Sequence, residues 1–257
     1  MNKAFHFILT AMAILQGCAP EDTSIAIAPR TEMKLTDGAT NCWYPSPAWN
    51  GSSFGVAWSD SFSSAYQIYL VVITSSPANP AVKISANGLH AEEPSLVWAD
   101  DEYGVAWQDN RNGEPEIFFA RIDSAGNKIG DEKRISGASD SSERPCAAWN
   151  GIAYGVVWVS GQTGRSQIFF ATVDINGNIL PRDMHTDDSN SSDYPSLAWA
   201  GDRWAFAWQA ETDRYEQIYL ATTNPAGVRA KDIWTGIRCA VTWKDCRNSA
   251  EEIYLAY

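Results

Sequence analysis

Five tryptophan pairs set the register of this chain: Trp49/Trp58, Trp98/Trp107, Trp149/Trp158, Trp199/Trp208 and Trp234/Trp243, the members of each nine residues apart. Ten residues after each second Trp comes an Ile followed by an aromatic: Ile68-Tyr69, Ile117-Phe118, Ile168-Phe169, Ile218-Tyr219 and Ile253-Tyr254. Pro45, Pro94, Pro145 and Pro195 open the first four units. Chance does not produce five copies of one register. A period of about 50 residues restricts the chain to repeat architectures.

Each unit reads as four strands. Strand a is the "PSLAW" segment and strand b is "YGVAW", with period-2 alternation. A polar loop such as "QDNRNGEP" leads to strand c, "EIFFARID". A Gly-Asn turn, as in "DSAGN" and "DINGN", leads to a short strand d, "KRIS". The composition agrees: 45% hydrophobic, with 12 Trp, 10 Tyr and 9 Phe, and turn residues throughout. Four antiparallel strands per unit predict an all-β fold, a β-propeller of about five four-stranded blades. No unit buries both of its faces alone, so the aromatic positions are expected to fill the space between stacked sheets.

The fifth unit is shortened at its junction with the fourth. The chain stops at "EEIYLAY", a strand c with no strand d after it. "RTEMKLTDGATNCWYP" aligns without gaps on "GDEKRISGASDSSERP", so Met33–Thr36 is expected to be a strand d that closes the ring beside Ile253–Tyr257.

Residues 1–17 carry Lys3 and an apolar stretch too short to span a bilayer, ending Leu15-Gln16-Gly17-Cys18. This resembles the bacterial lipobox, whose cysteine is lipidated and becomes the new N-terminus. The resemblance implies a signal peptide over 1–17, lipidation of Cys18 and a tether over 18–29, which leaves 30–257 for the propeller domain that the repeat predicts. It also implies a lipid-anchored protein of the bacterial cell envelope, and Ala19 after the cysteine suits the outer membrane. An ordinary secretory signal with an incidental cysteine is the alternative.

The pattern R-I-S, P-x-x-x-W and D-x-R-x-G-x-x-E-I-F, seen in Arg134–Trp149 and Asp109–Phe118, resembles the repeats of TolB-type propellers and of secreted bacterial repeat lipoproteins. The chain departs from TolB where Trp-Asn-Gly or Trp-Ala-Asp replaces the "SPDG" turn, and TolB's N-terminal domain has no counterpart. The resemblance implies the fold and not TolB's role.

Several motifs fail on inspection. Gly51-Ser52-Ser53-Phe54-Gly55 matches G-x-S-x-G, but the aligned units place Glu102, Ala153 and Arg203 where Ser53 stands. Ser53 therefore reads as a hairpin-turn residue. Asp174-Ile175-Asn176-Gly177-Asn178 lacks the spacing and the late acidic ligand of a calcium loop. No zinc, phosphate-loop or dinucleotide signature is present, and His90 and His185 are isolated. No metal, no cofactor and no catalytic residue is assigned. A net charge of −12 without a basic run excludes nucleic acid as a partner. Asp60, Asp109 and Asp245, with Arg111 and Arg247, are expected to tie down the loops between strands b and c.

The two residues before each opening proline vary where the tryptophans do not: Trp43-Tyr44, Glu92-Glu93, Glu143-Arg144 and Asp193-Tyr194. A closed ring brings them together near the axis, on the face of the d–a and b–c loops, as a candidate ligand site. Solvated turn residues are the alternative. Aromatics with carboxylates suit a glycan or a basic protein segment. The expectation is a non-enzymatic, membrane-anchored binding scaffold for a protein or glycan. A glycan-active, glycosidase-like enzyme is the alternative; the strand-a cores carry no carboxylate, which counts against it. A truncated repeat protein without a defined activity is a third reading. Cys42 and Cys246 are the candidate disulfide, with free thiols as the alternative.

Overall fold

The computed structural model describes residues 32–36, 38, 40–62, 65–74, 80–86, 90–137, 141–161, 165–180, 183–184, 186, 190–211, 215–223, 241–245 and 252–256. The described regular structure is all β. Five consecutive antiparallel sheets follow one another, as the repeat requires. The first is β1 (Cys42–Trp49), β2 (Phe54–Phe62), β3 (Ala65–Ile73) and β4 (Val82–Lys83); the second is β5 (Ala91–Ala99), β6 (Glu102–Asp109), β7 (Glu116–Asp123) and β8 (Lys128–Arg134). The third is β9 (Ser142–Trp149), β10 (Ala153–Ser160), β11 (Gln167–Asp174) and β12 (Asp183–Met184). The fourth shows β13 (Ser192–Trp199), β14 (Trp204–Glu211) and β15 (Glu216–Thr222), and the fifth shows β16 (Val241–Asp245) and β17 (Glu252–Ala256). Each sheet is a simple meander, and the first strands β1, β5, β9 and β13 pack successively against one another. This is a propeller-like fold.

The repeat has a direct physical meaning. Each second Trp is the cross-strand partner of the aromatic that follows the Ile: Trp58 with Tyr69, Trp107 with Phe118, Trp158 with Phe169 and Trp208 with Tyr219. The rings stack at centroid separations of 5.7–6.3 Å. The Ile N–H, at the outer edge of the ladder, donates to a hydroxyl at the end of strand d: Ile68 to Ser85, Ile117 to Ser136 and Ile168 to Thr186, at 2.9–3.0 Å.

Two devices join one sheet to the next. Ser46 Oγ accepts the Leu96 N–H and Ser95 Oγ accepts the Ala147 N–H, each at 2.9 Å. Cys146 stands at the same position of β9, accepts from the Leu197 backbone and is hydrogen-bonded to Ser95. The second device is steric. A Cβ on Gly55 of β2 would lie 2.7 Å from the Tyr103 ring, and one on Gly104 of β6 would lie 2.4 Å from the Tyr154 ring. Each ring belongs to the following sheet and fits only because the glycine has no side chain.

The expected loop tie is present in the second sheet, where the Arg111 N–H and guanidinium hold Asp109. Trp58 Nε1 donates to Asp60 and Trp107 Nε1 to Asp109, each at 3.3 Å. Arg111 pairs with the fully buried Asp109 and with Glu132 at 2.6 Å, and lies over the Phe118 ring. Asp245 is the last residue of β16, and Arg247 lies outside the described residues.

Ser53 lies in the β1–β2 turn, nearly buried, with its N–H donating to Asn50 Oδ1 at 2.7 Å. The turn requires φ > 0 two residues after the first Trp. Gly51, Gly151 and Gly201 supply it, and Asp100 adopts it in the second sheet.

One expectation is corrected. The chain divides into Met1–Leu35 and Thr36–Tyr257. Met33–Leu35 have no regular secondary structure and Thr36 lies in a bend, so the closing strand expected over Met33–Thr36 is not formed. A strand exists only through its ladder, and the described ladder of β17 is with β16. Cys18 and Cys246 lie outside the described residues. Cys42 is a thiol whose S–H donates to Asp60 Oδ2 at 3.5 Å.

Candidate functional site

The expected site residues fall inside the first strands rather than in the loops before them. Trp43-Tyr44 lie in β1, Glu92-Glu93 in β5, Glu143-Arg144 in β9 and Asp193-Tyr194 in β13. The four strands share one irregularity. Trp43 pairs with Ser59 and Ser46 with Ala57, so Tyr44 and Pro45 together oppose the single residue Trp58. In the same way Glu93-Pro94 oppose Trp107, Arg144-Pro145 oppose Trp158, and Tyr194-Pro195 oppose Trp208. Each is a β-bulge, where a proline without an N–H is tolerated and a side chain can be re-aimed.

The bulge residues have unusual backbones. Tyr44, Glu93, Arg144 and Tyr194 have φ of 54°, 53°, 54° and 49°. A residue before proline favours the extended region, and the left-handed conformation costs a non-glycine residue about 1–3 kcal/mol. Four copies of one strained conformation persist because the ladder and the repeated Trp behind it over-determine them. Such strain concentrates at functional sites.

The four bulge residues line one open cleft of ≈ 420 Å³ together with Pro45, Pro94, Pro145, Pro195, Ser46, Ser95 and Cys146. Tyr44 and Tyr194 are 48% and 61% exposed. Glu93 is half-buried, and burial pushes its carboxyl above the usual carboxylate range; Arg144 opposes the shift, while Glu143, Glu92 and Asp193 add to it. Burial also raises the Tyr44 phenol, with Glu93 and Glu92 adding to it. Arg144 reaches Asp193 Oδ1 at 2.7 Å, and its guanidinium lies 4.7 Å from the centre of the Tyr194 ring. Its backbone N–H donates to Gln108 Oε1 of the preceding sheet at 3.1 Å. Asp193 Oδ1 also accepts the Tyr194 N–H at 2.8 Å.

The structure therefore gathers the second member of each expected pair and leaves Trp43, Glu92, Glu143 and Asp193 beside the cleft rather than on its wall. Gln108 was not legible as a site residue. It follows the repeated Trp in β6, but its equivalents in the first and third sheets are Ser59 and Val159. Among the described residues no group of His, Cys, Asp and Glu is placed to hold a metal ion.

No family model matches the chain and no curated protein matches its sequence. Solved structures share its fold. The chain aligns with a subtype N11 neuraminidase-like protein of A/flat-faced bat/Peru/033/2010 (H18N11) at a TM-score of 0.52 and 11% identity, over 74% of this chain and 52% of that one. It aligns with a thermostable family-43 glycoside hydrolase at a TM-score of 0.50 and 13% identity, over 77% and 78%. A subtype N10 neuraminidase-like protein of A/little yellow-shouldered bat/Guatemala/060/2010 gives 0.48 and 13%, over 70% and 59%. The chain thus spans between half and three-fifths of the two neuraminidase-like chains.

The expectation of a non-enzymatic envelope scaffold is corrected here. It rested on strand-a cores without carboxylates, read only from the proline onward. The strands begin earlier, and the bulge turns Glu93 into the cleft beside the Arg144–Asp193 pair. The fold, moreover, is one that a family-43 glycoside hydrolase also adopts.

Proposed function

We propose that the cleft binds a glycan and hydrolyses a glycosidic bond. Glycoside hydrolysis typically needs two carboxyl groups in different environments, one holding a proton for the leaving oxygen and one ionised. Glu93 fits the proton donor, because burial and the neighbouring carboxylates favour its neutral form. Asp193, held by the Arg144 guanidinium and the Tyr194 N–H, fits the second carboxyl group. Tyr44 and Tyr194 offer flat faces on which sugar rings stack. The observation that carries the reading is the half-buried Glu93, held on the cleft wall by a strained bulge, with Arg144 on the same wall paired to Asp193 beside it. The family-43 glycoside hydrolase of similar fold supports it.

The lipobox-like Leu15–Cys18 segment supports a lipid-anchored location in a bacterial envelope, where such a site would meet polysaccharide.

The test is reducing-end release from a panel of plant and bacterial polysaccharides by the full chain and by Glu93→Gln. Release that falls at least about a hundredfold in the variant, the scale of a lost general acid, supports the reading. Equal release by both proteins removes Glu93 from the mechanism.

A further inference from the structure

The bulges share one backbone conformation but are held in different ways, and the difference singles out a residue outside the cleft. We infer that Gln108 is a positioning residue for the site. Its carboxamide holds the Arg144 backbone left-handed, and so keeps the Arg144 guanidinium on Asp193 and Tyr194. The catalytic consequence rests on the glycan reading of the same site; the anchoring does not.

The residue after the repeated Trp lies opposite the first member of the variable pair: Gln108 opposite Glu92, and Val159 opposite Glu143. Gln108 Oε1 reaches the next sheet and accepts the Arg144 N–H at 3.1 Å. Val159 offers the next sheet no acceptor. There the Tyr194 N–H donates to Oδ1 of Asp193, the residue just before it, at 2.8 Å. Aspartate suits such a local side-chain bond because its carboxylate is short. The residue before Arg144 is Glu143, one methylene longer, and its Oε1 accepts the Ser141 hydroxyl at 2.9 Å. The third sheet therefore takes its anchor from Gln108.

That anchor opposes a local bias. Arg144 precedes Pro145, which favours the extended region, yet its φ is 54°. A left-handed residue persists only where its surroundings over-determine it, and an N–H without an acceptor removes one of those constraints. Backbone rotation at the bulge would carry the Arg144 side chain away from Asp193, now 2.7 Å from its guanidinium, and from the Tyr194 ring, whose centre is 4.7 Å from it. Gln108 thus acts across three successive sheets, from β6 through β9 to β13, without lining the cleft itself.

The experiment compares the full chain with Gln108→Val, with Gln108→Val combined with Glu143→Asp, and with Gln108→Glu. Gln108→Val copies the Val159 arrangement into the second sheet; Gln108 is part-buried and a valine already holds its place in the third, so the fold should survive. Adding Glu143→Asp supplies the local acceptor that serves Tyr194, and Gln108→Glu keeps an acceptor oxygen at the original reach. Amide hydrogen exchange at Arg144, resolved by NMR, should quicken about fivefold or more in Gln108→Val, the scale of one lost hydrogen bond, and return toward the parent rate in the other two. Unchanged exchange in Gln108→Val, or no recovery in either of the others, overturns the anchoring. On a glycan that the parent cleaves, kcat should fall about tenfold or more in Gln108→Val while KM stays within about threefold, and should recover together with the Arg144 protection. Protection lost with kcat unchanged overturns the positioning role. If the parent cleaves no glycan while the exchange pattern holds, the hydrolase reading falls and the Arg144 anchor stands.

Discussion

Replacing Gly104 by alanine adds one methyl group where the β6 backbone meets the Tyr154 ring. The added Cβ would lie 2.4 and 2.6 Å from two ring carbons and 2.9 Å from Phe119, against a comfortable carbon separation of about 3.5–4.0 Å. The ring must retreat by about 1 Å to restore that separation. It is fully buried and packs on Phe119 and Trp149, and its hydroxyl donates to Glu102 at 2.7 Å. Overpacking costs about 1–3 kcal/mol, and loosening a hydrogen bond to a charged group adds about 1.5–3 kcal/mol. Removing a glycine from a strand returns about 0.5–1 kcal/mol. The net expectation is a loss of about 2–4 kcal/mol, or a fall in melting temperature of about 4–16 °C for a body of this size. Thermal unfolding followed by circular dichroism measures it. In the background of Tyr154→Leu, which removes the rigid ring, the same Gly104→Ala change should cost at least about 1 kcal/mol less. A Gly104→Ala protein as stable as the parent, or an equal cost in both backgrounds, would refute the sheet-to-sheet fit.

The inter-sheet rung predicts that Cys146→Ser keeps stability within about 0.5 kcal/mol, while Cys146→Val loses about 1–3 kcal/mol by orphaning the Leu197 N–H, both read from chemical denaturation. Because the folded Glu93 carboxyl lies above its ordinary range, its ionisation weighs against the native state as pH rises through that raised value. Glu93→Gln should therefore melt higher than the parent near neutral pH and lose that advantage in acid; a gap that widens in acid contradicts the burial argument. Arg144→Ala should free Asp193 and Tyr194 and abolish glycan turnover with little change in melting temperature, whereas an active variant would exclude the ion pair from the site.

Much of the architecture is legible in sequence because the repeated residues touch. The second Trp and the aromatic after the Ile are eleven positions apart in the chain and directly opposed in the ladder, so the Trp is unchanged and its partner stays Tyr or Phe. The site is legible as the variable pair before the proline that recurs in four units. Its geometry was not, because proline biases the preceding residue toward the extended region, and only the completed ladder shows that Tyr44, Glu93, Arg144 and Tyr194 are held left-handed instead. The bulge also places the Glu93 carboxylate before the proline, outside the strand-a core that the sequence pattern delimits. The role of the strand-b glycines is not legible in sequence, because a glycine inside an alternating pattern looks like an ordinary small residue and its partner ring lies about 50 positions away in the next unit. Met33–Thr36 failed as a strand because alignment supplies a pattern but not a ladder partner.

The bulge residues of successive sheets line one cleft, and its proposed glycan-cleaving role can be tested directly. The most direct test is a crystal structure of Glu93→Gln soaked with an oligosaccharide that the parent protein cleaves. The account predicts sugar density across the cleft, a ring on the face of Tyr44 or Tyr194, and the scissile oxygen within hydrogen-bonding distance, about 2.6–3.2 Å, of residue 93. Density confined to the face of the β1–β2 and β9–β10 turns, with the cleft empty, would contradict it.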